Sequence, residues 1–153
     1  MARAKEKMGR VAREGVVDAY IHPGERLGVL VEVNCETDFV ARTPEFRRFC
    51  RDIAMQVAAT NPLCVERGQL DKEILERERS IYRTQALSLG KPEKVLERIV
   101  EGKMEKFYAE VCLLEQPFIK DPDKVVGDLV KEKIAELGEK ITVKRFARFR
   151  LGD

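Results

Sequence analysis

The chain reads as an α+β protein: a three-stranded antiparallel sheet with helices packed on one face, including an antiparallel helix pair. Three observations predict this. Two period-two apolar runs flank a turn containing Pro and Gly, and a third such run closes the chain. Between them lie long segments whose apolar residues recur at helical spacing, bounded by capping residues, Gly and Pro.

In chain order, Arg3 to Glu14 is rich in Lys, Arg and Ala and ends at Gly15, which predicts an exposed basic linker helix over 1–14. The compact domain then spans 15–153. Val16 to Ile21 alternates, with Val17, Ala19 and Ile21 on one face. His22-Pro23-Gly24-Glu25-Arg26 is a turn, and Leu27, Val29, Val31 and Val33 point one way beyond it. Two such runs about a turn make a β-hairpin.

Thr43-Pro44 starts a helix, with a capping hydroxyl followed by proline in the first turn. Phe46, Phe49, Cys50, Ile53 and Val57 form its inner face, and Arg47, Arg48, Arg51 and Gln56 its outer one. Asn61-Pro62 ends it, and Leu63 to Gln69 is a short connection. Asp71 to Leu89 is helical with Ile74, Ile81 and Tyr82 inward. Gly90 closes that helix and Pro92 opens the next, so the two form an antiparallel pair. Val95, Leu96, Ile99, Val100, Phe107, Tyr108 and Val111 stripe the second. Gly102 in its middle costs about 1 kcal/mol relative to Ala, which close helix approach would explain.

Gln116 to Pro122 is a proline-bounded loop. Lys124 to Leu137 returns to helix, with Val126, Leu129, Val130, Ile134 and Leu137 on one side and Gly138 as its C-terminal glycine. Lys140 to Leu151 is the last strand, and a phase slip near Lys144-Arg145 predicts a bulge. On the sheet's second face, Arg145, Arg148 and Arg150 keep part polar, whereas Tyr20, Leu30 and Phe146 leave apolar spots. Such a face is either a subunit contact or the seat of the N-terminal helix.

The chain has 153 residues, enough for one domain with a real core, and 37% of them are charged, yet the net charge is only +2. That balance argues against a dedicated nucleic-acid binder. No apolar run of about 18 residues spans a membrane, and the N-terminus lacks the apolar segment of a signal peptide. Cys35, Cys50, Cys64 and Cys112 form no C-x-x-C pair, and His22 is the single histidine, which argues against zinc. The cysteines read as reduced, partly buried thiols of a cytoplasmic protein, with Cys35–Cys50 and Cys50–Cys112 contacts left open. An organellar matrix fits the same reading.

No phosphate loop and no dinucleotide fingerprint occurs, His22 has no nucleophile partner, and paired carboxylates such as Glu76 and Glu78 sit among arginines. The residues therefore predict neither an enzyme nor a cofactor or metal site. Arg3, Lys5, Lys7, Arg10 and Arg13 either track phosphates or form a solvated helix face. Thr37-Asp38-Phe39 stands out instead. Either Thr37 or Asp38 caps a turn and Phe39 packs against the next helix, or Phe39, lying in a connection before Pro44, is a probe offered to a partner.

The run Val29-Leu30-Val31-Glu32-Val33-Asn34-Cys35-Glu36-Thr37-Asp38-Phe39-Val40-Ala41-Arg42 resembles the signature of the translation elongation factor Ts family. The likeness continues in Tyr20-Ile21-His22, Gly90-Lys91-Pro92, Glu101-Gly102-Lys103-Met104, Leu114-Glu115-Gln116-Pro117-Phe118, Leu137-Gly138-Glu139-Lys140-Ile141 and Lys144-Arg145-Phe146, in order along nearly the whole chain.

The resemblance implies a guanine-nucleotide exchange factor that binds the GTPase elongation factor Tu and expels GDP during translation elongation. It makes Asp38 and Phe39, flanked by Thr37 and Val40, a probe entering between two helices of the GTPase near its magnesium and phosphate site. Asp38 would act by repulsion near the phosphates or by capping a partner helix. The resemblance adds Leu137 and Gly138 as a second contact loop. It adds Gln116, Pro117 and Phe118 as a further contact, and His22 as a residue a second protomer would supply. No direct contact with the nucleotide is implied. The form is the short, core-only type, opening within the linker helix that follows a ubiquitin-associated-like domain, lacking the coiled-coil insertion and pairing as a homodimer through its sheet. The runner-up reading is a basic ribosome- or RNA-associated module without exchange activity, and a third is a degenerate core that only scaffolds a dimer.

Overall fold

The computed structural model describes residues 10–153. The expected helix over 1–14 falls mostly outside them; within them, residues 10–13 form no helix and Glu14 already belongs to the first strand.

Strands β1 (Glu14–Ile21) and β2 (Leu27–Cys35) make the expected hairpin. A one-turn helix α1 (Asp38–Ala41) leads into α2 (Pro44–Thr60), capped by the Thr43 hydroxyl, which accepts from Phe46 N at 3.2 Å. Helices α3 (Lys72–Leu87) and α4 (Glu93–Val111) form the antiparallel pair. A short ribbon of β3 (Pro117–Phe118) and β4 (Asp121–Val125) replaces the expected loop over Gln116–Pro122 and takes two residues from the start of the following helix, α5 (Val126–Leu137). Strand β5 (Thr142–Arg150) closes the main sheet in the order β1-β2-β5, antiparallel throughout. The predicted bulge is present: Glu32 pairs with Arg145 and Val33 with Val143, leaving Lys144 as the extra residue.

Val29, Val31, Val33 and Cys35 point from β2 into a core filled by Phe46, Phe49, Ile53 and Val57 of α2 and by Val126, Leu129 and Ile134 of α5. A second, smaller core holds the helix pair together around Leu70, Ala86, Leu96, Val100, Met104 and Phe107. The two meet where the 63–65 segment runs beside 111–114, with Leu113 N donating to Cys64 O at 2.9 Å and Leu114 N to Val65 O at 3.0 Å.

Several expectations are corrected by register and packing. Tyr20 lies opposite Val29 and Phe146 opposite Val31, so both sit on the covered face, half-buried against the core. In a strand, one residue of phase decides the face. The open face carries Val17, Ala19 and Ile21, together with Leu30, Ala147 and Phe149. Of the three arginines only Arg145 faces it, bonded to Glu32 at 2.8 Å. Arg148 lies on the covered side and donates to Ala58 O. Gln56 is 0% exposed rather than outward, because the 116–119 segment supplies partners for its amide. Ile81 is 42% exposed rather than inward, whereas Ile74 and Tyr82 pack against the second core as expected. A Cβ at Gly102 would meet nothing, so no close helix approach explains that glycine. The sulfur contact is between Cys64 and Cys112, at 3.6 Å, a pair that spacing did not single out.

Candidate functional site

The stretch after β2 turns on a cap. Thr37 is extended at φ −124° and ψ 150°, and its Oγ1 accepts from Val40 N at 3.2 Å, starting α1. Helical geometry then sends successive side chains to different sides. Val40 and Ala41 enter the core, whereas Phe39 points away and is 81% exposed, the most exposed large apolar residue described. Asp38 beside it is also exposed and pairs with Arg42 four residues on at 2.8 Å. Ion pairs this open to water contribute little stability. A shallow groove lined by Asp38, Phe39, Arg42 and Thr43 runs along the projecting ring.

The turn is held from behind by a loop a hundred residues later. Helix α5 ends at Gly138, whose φ of 75° is the left-handed conformation that glycine accommodates best. A Cβ there would meet no neighbour. That reversal brings Glu139 onto the Thr37 turn. Its Oε1 accepts from Glu36 N and Thr37 N, both at 3.0 Å, and its Oε2 accepts from Thr37 Oγ1 at 2.6 Å. Glu36 answers: its Oε1 accepts from Lys140 N at 2.8 Å. Bonds to a carboxylate are roughly twice as strong as neutral ones. Cys35 Sγ donates to Thr37 O at 3.2 Å from beneath, and burial pushes this thiol up to about 11, so it serves as a neutral donor.

The structure thus brings together Thr37, Asp38, Phe39 and Val40 with the loop at Leu137 and Gly138. Leu137 packs half-buried against the core, and the loop's exposed surface is otherwise backbone and polar groups. His22 stands apart. It is exposed in the β1–β2 turn, its Nδ1 in hydrogen-bond contact with Tyr20 Oη at 2.9 Å. It lies opposite Leu27, eight strand residues and about 26 Å from Cys35 at the foot of the Thr37 turn. Gln116 and Phe118 are buried. Gln116 Oε1 accepts from Gln56 Nε2 and Thr60 Oγ1, and its Nε2 donates to Glu110 O. In that segment Pro117 and Ile119 are the members that reach solvent.

Among the described residues no group of three or more His, Cys, Asp or Glu could hold a metal ion, and no helix is long and apolar enough to cross a membrane. Phe39 is thus an exposed ring on a turn braced by a second loop.

A family model described as "Elongation factor TS" matches residues 3–153. The chain belongs to the elongation factor Ts family. The elongation factor Ts of Carboxydothermus hydrogenoformans is 61% identical over 153 residues, covering 100% of this chain and 70% of that protein. That of Caldanaerobacter subterraneus subsp. tengcongensis is 58% identical and covered to 76%, and that of Geotalea uraniireducens 55% identical and covered to 71%. In this elongation factor Ts family member, Glu139 and Glu36 are the braces of the Thr37 turn that reading the sequence missed. Their partners lie 102 to 104 residues away, a distance at which spacing carries no signal.

Proposed function

We propose that this chain is a guanine-nucleotide exchange factor that binds elongation factor Tu and speeds GDP release during translation elongation, in the cytoplasm. The observation that carries the reading is Phe39, a large apolar ring kept in solvent on a turn held at both ends. Leaving such a ring exposed forgoes roughly 1.5–3 kcal/mol of burial, which a partner can recover.

The thermodynamics is linkage. A factor that binds best to the nucleotide-free GTPase weakens nucleotide binding by the same factor by which nucleotide weakens its own. It performs no bond chemistry and leaves the GDP/GTP equilibrium unchanged. A thousandfold faster release needs about 4 kcal/mol off the barrier, more than one ring supplies. Loss of the magnesium ion and disturbance of the phosphate loop in the GTPase make up the rest. Asp38 and the Leu137–Gly138 loop flank the ring at the same contact. His22, about 26 Å away along the sheet of the same chain, reaches that contact only from a second copy. The open sheet face, with Val17, Ile21, Leu30 and Phe149 exposed, is the surface through which two copies pair.

The test is stopped-flow release of fluorescent GDP from elongation factor Tu. Phe39→Ala should slow release about tenfold to a hundredfold at unchanged thermal stability, matching the 1.5–3 kcal/mol above. Release at the wild-type rate, or an unfolded variant, overturns the reading.

A further inference from the structure

We infer that Glu139 is the positioning residue of the exchange site: its carboxylate holds the turn from which Phe39 projects, so that the ring is presented in one orientation. This rests on the reading of Phe39 given above. Helix α1 has only four residues and cannot hold itself in place, because the first helical turn fixes several backbone dihedrals for one hydrogen bond. Its N-terminal side would otherwise offer unpaired N–H groups to solvent. Glu139 takes two of those ahead of the helix, on Glu36 and Thr37, and also the Thr37 hydroxyl proton. Giving that proton to Glu139 leaves the Thr37 oxygen's lone pairs free to accept from Val40 N, which it does. The cap of α1 is therefore oriented by a residue on a different loop. The return bond, from Lys140 N to Glu36 Oε1, makes the link reciprocal, so neither loop shifts alone. Phe39 and Gly138 move as one body for the same reason.

A held ring meets its partner without first losing conformational freedom, which is the general gain from preorganisation. Without the brace, the ring still exists but samples many directions, and the fraction poised for insertion falls.

The experiment uses the full chain and elongation factor Tu loaded with N-methylanthraniloyl-GDP, with release measured at saturating factor for Glu139→Ala, Glu139→Gln, Phe39→Ala and the Phe39→Ala/Glu139→Ala double variant. Glu139→Ala should slow release about tenfold and speed amide hydrogen exchange at Thr37 and Val40, with the thermal midpoint within a few degrees of wild type. Glu139→Gln keeps an amide oxygen for the two N–H groups, and the Thr37 hydroxyl can turn to suit its nitrogen. It should restore release to within about twofold and guards against a folding failure of the alanine variant. Since Glu139 acts only through the turn, adding Glu139→Ala to Phe39→Ala should change little, whereas independent roles multiply. Wild-type release in Glu139→Ala while Phe39→Ala is impaired overturns this inference alone, as do multiplying effects. Wild-type release in Phe39→Ala overturns the reading of the ring, and the inference with it.

Discussion

At the scale of single residues, Phe39 stands 81% exposed on a helix of four residues. It reads as a candidate probe because it sits in a connection ahead of the Thr43-Pro44 cap. The one-turn helix that aims it was not legible, since a four-residue helix has no periodicity to read. Gln56 was misread as outward because a polar residue on a helix is normally solvated. Its partners come from a segment sixty residues on, where its Nε2 reaches Gln116 Oε1 at 3.1 Å and Pro117 O at 3.0 Å, and its Oε1 accepts from Ile119 N at 2.9 Å. Removing one member of such a network strands the others away from water, at about 1–3 kcal/mol each. Gln56→Leu, which keeps the volume, should therefore lower unfolding stability by about 2–4 kcal/mol. Urea denaturation with an unchanged m-value is the measurement, and a loss under about 1 kcal/mol would mean that water replaces the amide.

At the scale of elements, the hairpin, α2, the α3–α4 pair, α5 and the bulge in β5 were all readable, because period and punctuation agreed along each. The faces of the sheet were not, since a strand's phase relative to the core depends on which residue of the neighbouring strand it meets. Tyr20 and Phe146 crossed to the covered side for that reason. Gly15 shows the same dependence. It pairs with Asn34 at the end of the hairpin, with φ at 147°, and a Cβ there would lie 2.1 Å from Val33 O. No side-chain rotation relieves an overlap with backbone. Gly15→Ala should cost about 2–3 kcal/mol and lower the thermal midpoint by roughly 5–10 °C. Gly24 in the turn has φ at 97° but an added Cβ meets nothing within 4 Å, so Gly24→Ala bears conformational strain alone and should cost about half as much. Equal midpoints for the two variants, read by circular dichroism, would rule out the steric account.

At the scale of the whole molecule, the described residues cover the sheet on one side and leave the other bare. Val17 is 68% and Phe149 75% exposed, Ile21 59% and Leu30 49%, and Leu30 sits on the central strand. The polar group on that face is the Glu32–Arg145 pair at 2.8 Å with Asn34, whose Nδ2 donates to Glu32 at 3.0 Å. Asn34 and then Arg145 hold the Glu32 carboxyl below its usual range. Its small contribution is thus present above the ordinary carboxylate pKa and lost only as pH falls through the lowered value. Near neutral pH the face is apolar with a neutralised charge pair, which suits a two-fold contact in which each copy buries the same patch. Because Leu30 faces solvent within one chain, Leu30→Asp leaves the core untouched but places an unpaired carboxylate at the centre of the proposed contact, a cost of several kcal/mol on burial. Sedimentation at tens of micromolar should find wild type at twice the 17.5 kDa chain mass and Leu30→Asp at the chain mass, with identical circular dichroism. Wild type sedimenting as a single chain would remove the proposed pairing, and with it the proposed role of His22.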